Sequence, residues 1–252
     1  MEAYVRLEVA SNGVGVIEFF HPASNSLPGD ILNQLAETIT ACGQDPLVKV
    51  LVLRSGGERA FCAGASFDEL MAIDNPAQGL EFFSGFAKVI NAMRTCPKFV
   101  VGRVQGKAVG GGVGLAAAVD VCMATQYASV KLSELAVGIG PFVVGPAVER
   151  KMGVASMGAL AIDARAWKDA QWASQQGLYA EVFDDVNALD EAVQRLADDL
   201  AKSNPEAMAA LKQTLWQGTE HWDELLLERA AISGELVLSE FTRNAIRAFK
   251  SA

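Results

Sequence analysis

Gly106-Lys107-Ala108-Val109-Gly110-Gly111-Gly112-Val113-Gly114-Leu115-Ala116 is the stretch on which the fold turns. It follows Phe99–Val104, a run that reads as a buried strand, and its apolar continuation reads as a short helix. Three adjacent glycines at such a junction cost backbone entropy. One return is close approach of a ligand, with the N–H groups of a helix start left to bind an anion or a polarised oxygen. The other return is tight packing of the helix on its neighbours. The run also contains Gly112-x-Gly114-x-x-Ala117, a loose dinucleotide fingerprint. Against that, Lys107, Ala108 and Val109 stand between the strand and the glycines, and the unit lies in mid-chain.

Upstream, Ala60-Phe61-Cys62-Ala63-Gly64-Ala65-Ser66 follows the apolar run Val48–Leu53 and the turn Ser55-Gly56-Gly57. Its small side chains let a ligand reach the main chain. Around these two segments the first half of the chain alternates strands and helices. Tyr4–Val9 and Val14–Phe20 flank the turn Ser11-Asn12-Gly13 and predict two strands. Ile31, Leu32, Leu35 and Ile39 recur at helical spacing, with Gly43 as a stop. A helix is predicted over about Gln78 to Arg94, and strands over Val119–Met123 and Ser129–Leu132. From Val144 onward the pattern predicts helices only, including Leu189–Lys202, Pro205–Trp216 and Trp222–Leu238. Asn204-Pro205-Glu206 carries a capping residue, a proline at the first helical position and an acid in the first turn. This pattern predicts an α/β core over residues 1–195 and a helical C-terminal region over 196–252.

Composition narrows the possibilities. The 252 residues are 51% hydrophobic and 20% charged, a globular balance. A chain of this size buries roughly 70–75% of its unfolded surface. No apolar run suits a bilayer span, and no signal peptide is readable at the N-terminus, so a cytoplasmic protein is the default expectation. A net charge of −9 argues against a nucleic-acid surface. Cys42, Cys62, Cys96 and Cys122 form no C-x-x-C pair and read as buried thiols. His21 and His221, the only histidines, pair with no nucleophile in the sequence. Trp167, Trp172, Trp216 and Trp222 read as core or subunit contacts.

Taken together, the two glycine-rich segments are far more specific. Phe61–Leu70, F-C-A-G-A-S-F-D-E-L, resembles the A-F-x-A-G-A-D-[IL]-x-E-[ML] signature of the crotonase (enoyl-CoA hydratase/isomerase) family. G-K-A-V-G-G-G-V-G-L-A-A-A-V-D from Gly106 is similar to its G-x-A-x-G-G-G-x-E-L-A-x-x-C-D, and S-E-L-A-V-G-I-G-P from Ser133 to its P-E-x-x-L-G-I-x-P. The three occur in the family's order. The resemblance implies a spiral of ββα units of the ClpP/crotonase type, with a helical C-terminal region that builds homotrimers or homohexamers. It implies an acyl-CoA thioester substrate and no separate cofactor, coenzyme A being part of the substrate. It also implies that the N–H groups of Ala65 and Gly111 hold the thioester carbonyl and that Glu134 is the catalytic acid/base. The implied binding residues are Ala23, Ala63, Ala65, Gly110, Gly111, Pro141 and Phe142, with Phe249 toward the adenine and Lys250 or Arg247 toward the phosphates. The lysine or arginine the family often carries near Pro22 is missing from Ala23-Ser24-Asn25.

The chain departs from the hydratase pattern at one decisive place. Gly114 stands where hydratases carry their first glutamate, and Ser66 stands where the family has an aspartate. Pro141-Phe142-Val143-Val144-Gly145 replaces P-G-x-G-G and is expected to reshape the acyl pocket. One carboxylate suffices to shuttle a proton between two carbons, which is double-bond isomerisation; activating water for hydration is harder with one. Overall similarity around Ser133–Lys151 points instead to hydratases, including methylglutaconyl-CoA hydratase. A thioester-binding subunit without chemistry is the alternative from a different class. Glu134 has a competing role as a helix cap, and Asp68 and Glu149 read as surface or supporting carboxylates.

Overall fold

A computed structural model of the chain describes residues 2–251, the last three of them by their helical backbone alone. Strands β1 (Tyr4–Val9) and β2 (Val14–Phe20) form an antiparallel hairpin. From β2 onward the same unit recurs: a strand in a large sheet, a short strand beside it, then a helix. β2 leads to β3 (Ser26–Leu27) and α1 (Gly29–Gln44). β4 (Val50–Ser55) leads to β5 (Ala60–Cys62), β6 (Gly64–Ala65), α2 (Phe67–Ala72) and α3 (Pro76–Thr95). β7 (Val100–Val104) leads to β8 (Lys107–Val109) and α4 (Gly111–Ala118). β9 (Val121–Thr125) leads to β10 (Val130–Lys131), a 3₁₀ turn at Leu135–Val137 and α5 (Gly145–Ile162). This is the expected spiral of ββα units.

The large sheet has the order β1-β2-β4-β7-β9-β11, parallel from β2 onward. A small parallel sheet, β10-β8-β5, stands beside it, and β3 pairs with β6. The large sheet is covered on both faces, which is why β4 reads as a continuous apolar run. Leu51 and Leu53 of β4 face the core shared with α1, α3 and α4. Val50 and Val52 face a second core closed by Leu189, Val193 and Ala197 of α7 (Val186–Ala201).

Several details differ from the sequence expectations. The C-terminal part is not helical throughout, because β11 (Glu181–Phe183) completes the large sheet beside β9. Gly43 does not stop α1, which runs to Gln44. A side chain at Gly43 would meet Cys96 and Pro97 at 3.3–3.4 Å, so the glycine serves packing. The strand read at Val48–Leu53 lies two residues later. The division after residue 195 falls within α7, which packs on the large sheet.

Past α6 (Ala170–Gln175) and α7, the chain ends in α8 (Pro205–Leu215), α9 (Trp222–Leu236) and α10 (Glu240–Ser251). The Asn204 side chain caps α8, accepting from the N–H groups of Glu206 and Ala207. α9 crosses α3 so closely that a side chain at Gly79 would lie 2.6 Å from the Gly234 backbone. Asp120, just past α4, ties α8 to the core. Its carboxylate accepts from the Lys212 ammonium at 2.9 Å, the Trp216 indole at 2.8 Å and the Val100 N–H at 2.7 Å. Lys151 donates to the Val119 and Asp120 carbonyls at the same end of α4. The other end of α4 is thereby fixed against the cavity described next. Among the described residues, no helix is long and apolar enough to cross a membrane.

Candidate active site

The strand ends of β6 and β8 meet at one cavity. Gly64 has φ of +91°, and a side chain there would lie 3.0 Å from the Val109 carbonyl and 3.7 Å from the Gly111 nitrogen. Only glycine lets the two segments come this close. The Ser66 N–H donates to the Leu27 carbonyl at 3.1 Å. Successive N–H groups of an extended chain point to opposite sides, so that of Ala65 points away from β3.

The three glycines each answer a different neighbour. Gly110 has φ of +52° and ψ of −117°, and a side chain on it would lie 2.9 Å from Glu134 Oε1. Gly111 lies under the Phe86 ring, where a side chain would come within 2.2 Å of a ring carbon. Gly112 lies against Cys62, 2.6 Å being the distance from an added side chain to its carbonyl. The packing reading of the run is therefore realised at Gly111 and Gly112, while Gly110 adopts a backbone conformation that favours glycine. The Gly110 carbonyl accepts from the N–H groups of Val113 and Gly114. The N–H groups of Gly111 and Gly112, in the first turn of α4, have no acceptor within the helix.

Glu134 sits across from them. Its backbone carbonyl accepts from Val137 and Ile139, which pins the loop. Its side chain makes no capping bond to the following turn. The residue as a whole is half-buried, but Oε2 is closed to solvent and has no hydrogen-bond partner among the described residues. Burial pushes its carboxyl up to about 7. Around it the cavity is lined by Phe67, Leu70, Phe83, Phe86, Ile139 and Phe142, together with Ala63, Ala65, Gly110, Gly111 and Pro141. Among the lining residues Glu134 is the only ionisable side chain; the other polar side chains are the hydroxyls of Ser133 and Ser233.

The space beside Gly114 is filled. A side chain at Gly114 would lie 2.4 Å from Val144 Cγ1 and 2.6 Å from its Cβ. A second carboxylate at that position and Val144 as placed exclude one another.

The cavity thus brings together Glu134, Ala63, Ala65, Gly110, Gly111, Pro141 and Phe142. Ala23 is not among its lining residues and lies in an exposed turn. That turn still supports the site, because the Ser24 carbonyl accepts from the Ala63 N–H at 3.2 Å. Asn25 braces the turn by donating to the carbonyls of Gly56 and Ala60. The side chains of Phe249 and Lys250 lie outside the described residues. Ser66 caps α2, its hydroxyl accepting from the Glu69 N–H, and Asp68 and Glu149 are exposed. Trp167 is largely exposed, its ring approached by the ammonium groups of Lys107 and Lys131 at 5.0 and 4.6 Å. All four cysteines are buried and free, and burial raises the thiols of Cys62 and Cys122 to about 12. Neither histidine lines the cavity. Phe83, Phe86, Val144 and Ser233 are site residues that sequence reading did not single out individually. The aromatic pair on α3 has the spacing of any core-facing helix, and only the Phe142-Val143-Val144 replacement gave a signal.

Comparison with known proteins gives a consistent result. The family model for enoyl-CoA hydratase/isomerase matches residues 9–245. A mitochondrial methylglutaconyl-CoA hydratase from Rattus norvegicus is 31% identical over 220 residues, covering 85% of this chain and 69% of that protein. A peroxisomal Delta(3,5)-Delta(2,4)-dienoyl-CoA isomerase from Arabidopsis thaliana is 26% identical, covering 98% of this chain and 95% of that protein. The crystal structure of an enoyl-CoA hydratase from Bacillus halodurans superposes with a TM-score of 0.89 at 21% identity, covering 97% of this chain and 99% of that one.

Proposed function

Because the chain belongs to the enoyl-CoA hydratase/isomerase family, we propose that its cavity binds an enoyl-CoA thioester and isomerises the double bond with Glu134 as the single proton carrier. The thioester oxygen lies between the N–H groups of Ala65 and Gly111. Ionised Glu134 removes a proton from C2 of a 3-enoyl thioester. The electron pair spreads over a dienolate whose oxygen is held by the two N–H groups, each worth about 3–4 kcal/mol. The protonated Glu134 then returns the proton at C4, leaving the 2-enoyl thioester. A carboxyl held near pH 7 by burial has both forms available for this exchange.

One observation carries this reading: among the described residues Glu134 is the only ionisable group lining the cavity, and Val144 occupies the space a partner at Gly114 would need. The similarity to a methylglutaconyl-CoA hydratase favours a second reading, hydration of a 2-enoyl thioester. Incubation with 2-enoyl- and 3-enoyl-CoA in deuterated water separates them. Isomerisation gives only a shifted double bond, and hydration gives a 3-hydroxyacyl-CoA. Glu134→Gln is expected to keep thioester binding and lose turnover by orders of magnitude; near-normal turnover in that variant would overturn the role of Glu134. Tight binding without conversion of any thioester would favour a binding subunit instead.

A homotrimer or homohexamer joined through the C-terminal helices belongs to the same proposal. Large apolar side chains stand exposed there, among them Leu211 at 51%, Leu215 at 53% and Phe241 at 65%. Light scattering at micromolar concentration tests it, with a monomer as the refuting result.

A further inference from the structure

Beyond Glu134 and the hydroxyls of Ser133 and Ser233, the described side chains lining the cavity are hydrocarbon. Phe67, Leu70, Phe83 and Phe86 form much of the wall, and no Lys, Arg or His is among the described residues that line it. The cavity volume is about 100 Å³, smaller than the ~150 Å³ apolar cavity that takes up benzene. Two close contacts set its limits. Val144 fills the space over Gly114. The Phe142 ring lies against Gly140, where an added side chain would come within 2.4–2.9 Å of three ring carbons. Gly140 therefore makes room for the tip of the ring, which lines the cavity next to Pro141.

We propose that this site selects short, uncharged acyl chains, roughly four to six carbons long, and rejects chains ending in a carboxylate, with Val144 and Phe142 as the specificity-determining residues. The selectivity rests on the thioester-binding role proposed above. A terminal carboxylate would be stripped of water with no cation to meet it. It would also share an apolar space with Glu134, and two carboxylates so placed resist ionising together. A discrimination on the order of 10³-fold or more follows, because the penalty falls on an unpaired charge and not on a missing methylene. Chains longer than the cavity meet Phe142.

The test uses the wild-type protein. Rates are measured with but-3-enoyl-, hex-3-enoyl- and dec-3-enoyl-CoA, with the corresponding 2-enoyl thioesters, and with glutaconyl-CoA, whose chain ends in a carboxylate. Binding of butyryl-CoA and glutaryl-CoA, which cannot react, is measured by calorimetry. The four- and six-carbon thioesters are expected to exceed glutaconyl-CoA by about 10³ in kcat/KM, and butyryl-CoA to bind at least about 100-fold tighter than glutaryl-CoA. Phe142→Ala is expected to raise the ten-carbon to four-carbon rate ratio at least tenfold. Phe142→Arg is expected to narrow the butyryl–glutaryl gap. Glutaconyl-CoA turned over within tenfold of the four-carbon thioesters, or glutaryl-CoA bound as tightly as butyryl-CoA, would overturn the selectivity. Failure to convert any thioester, with the butyryl preference intact, would overturn the proposed reaction and leave the selectivity standing.

Discussion

Replacing Glu134 by glutamine keeps the side chain's shape and removes its ionisation, so it isolates what burial of the charge costs the fold. Burial raises the carboxyl from 4.5 to about 7. The folded state thus favours the neutral acid more than the unfolded chain does. The corresponding stability is fully present below 4.5 and is lost as the pH rises through about 7. Between pH 5 and pH 8 the wild-type protein is expected to lose roughly 2–3 kcal/mol that the glutamine variant keeps. For a chain of this length that equals a relative change in Tm of roughly 5–10 °C. The assay is thermal and urea unfolding of both proteins from pH 5 to pH 8, read as the difference between them. Every other titrating group is common to both and cancels. Any pH-independent cost of burying the amide appears as a constant offset. The difference is expected to move in favour of the variant as the pH rises, most steeply up to neutrality, and to level off above it. Parallel stability curves across that window would refute the claim that Glu134 is held in a water-poor site.

Three further changes probe the architecture around that carboxylate. Gly110→Ala forces an L residue to φ of +52° and sets its side chain 2.9 Å from Glu134 Oε1. It is expected to cost about 1–3 kcal/mol and at least tenfold in kcat, seen in melts and steady-state kinetics. Gly114→Ala meets Val144 at 2.4 Å and is expected to destabilise by about 1–3 kcal/mol. The pair Gly114→Ala with Val144→Ala is expected to recover most of that in urea titrations. Lys212→Met strands Asp120 as a buried charge, since the two side chains are 3% and 4% exposed. A loss of about 3–5 kcal/mol is expected, partly relieved by adding Asp120→Asn.

The parts of the fold that were legible in the sequence are those whose signals are local. The hairpin of β1 and β2 has two short β-rich runs around one turn, and its observed bounds coincide with the expected ones. Helix ends were less legible, because capping decides them. α3 begins at Pro76, behind Asn75, whose side chain accepts from the Gln78 N–H, and not at Gln78 itself. β11 has only three residues and no periodicity to read; its pairing with β9 creates it. At the candidate site, motif spacing led to Glu134, Gly110 and Gly111, all beside the cavity. The support from the preceding turn was not legible, because it runs through a backbone group: the Ser24 carbonyl accepts from the Ala63 N–H, while Ala23 beside it is exposed and does not line the cavity.

What no local signal could supply is the pairing of Gly114 with Val144, which are 30 positions apart and meet only because α5 packs on α4. In the sequence they look like two unrelated departures, a missing glutamate and a bulkier loop. In the fold they are one departure. A glycine facing empty space would leave a void lined by α4, and voids of that kind cost stability in proportion to their volume. Val144 fills it with hydrocarbon and is itself only 5% exposed. Returning a glutamate to position 114 alone would therefore not restore a two-carboxylate site, because the valine already holds the space. The chemistry open to this cavity is accordingly set by packing as much as by the identity of its acid. That makes residue 144, which carries no functional group, the position to vary first when the contents of the cavity are to be changed.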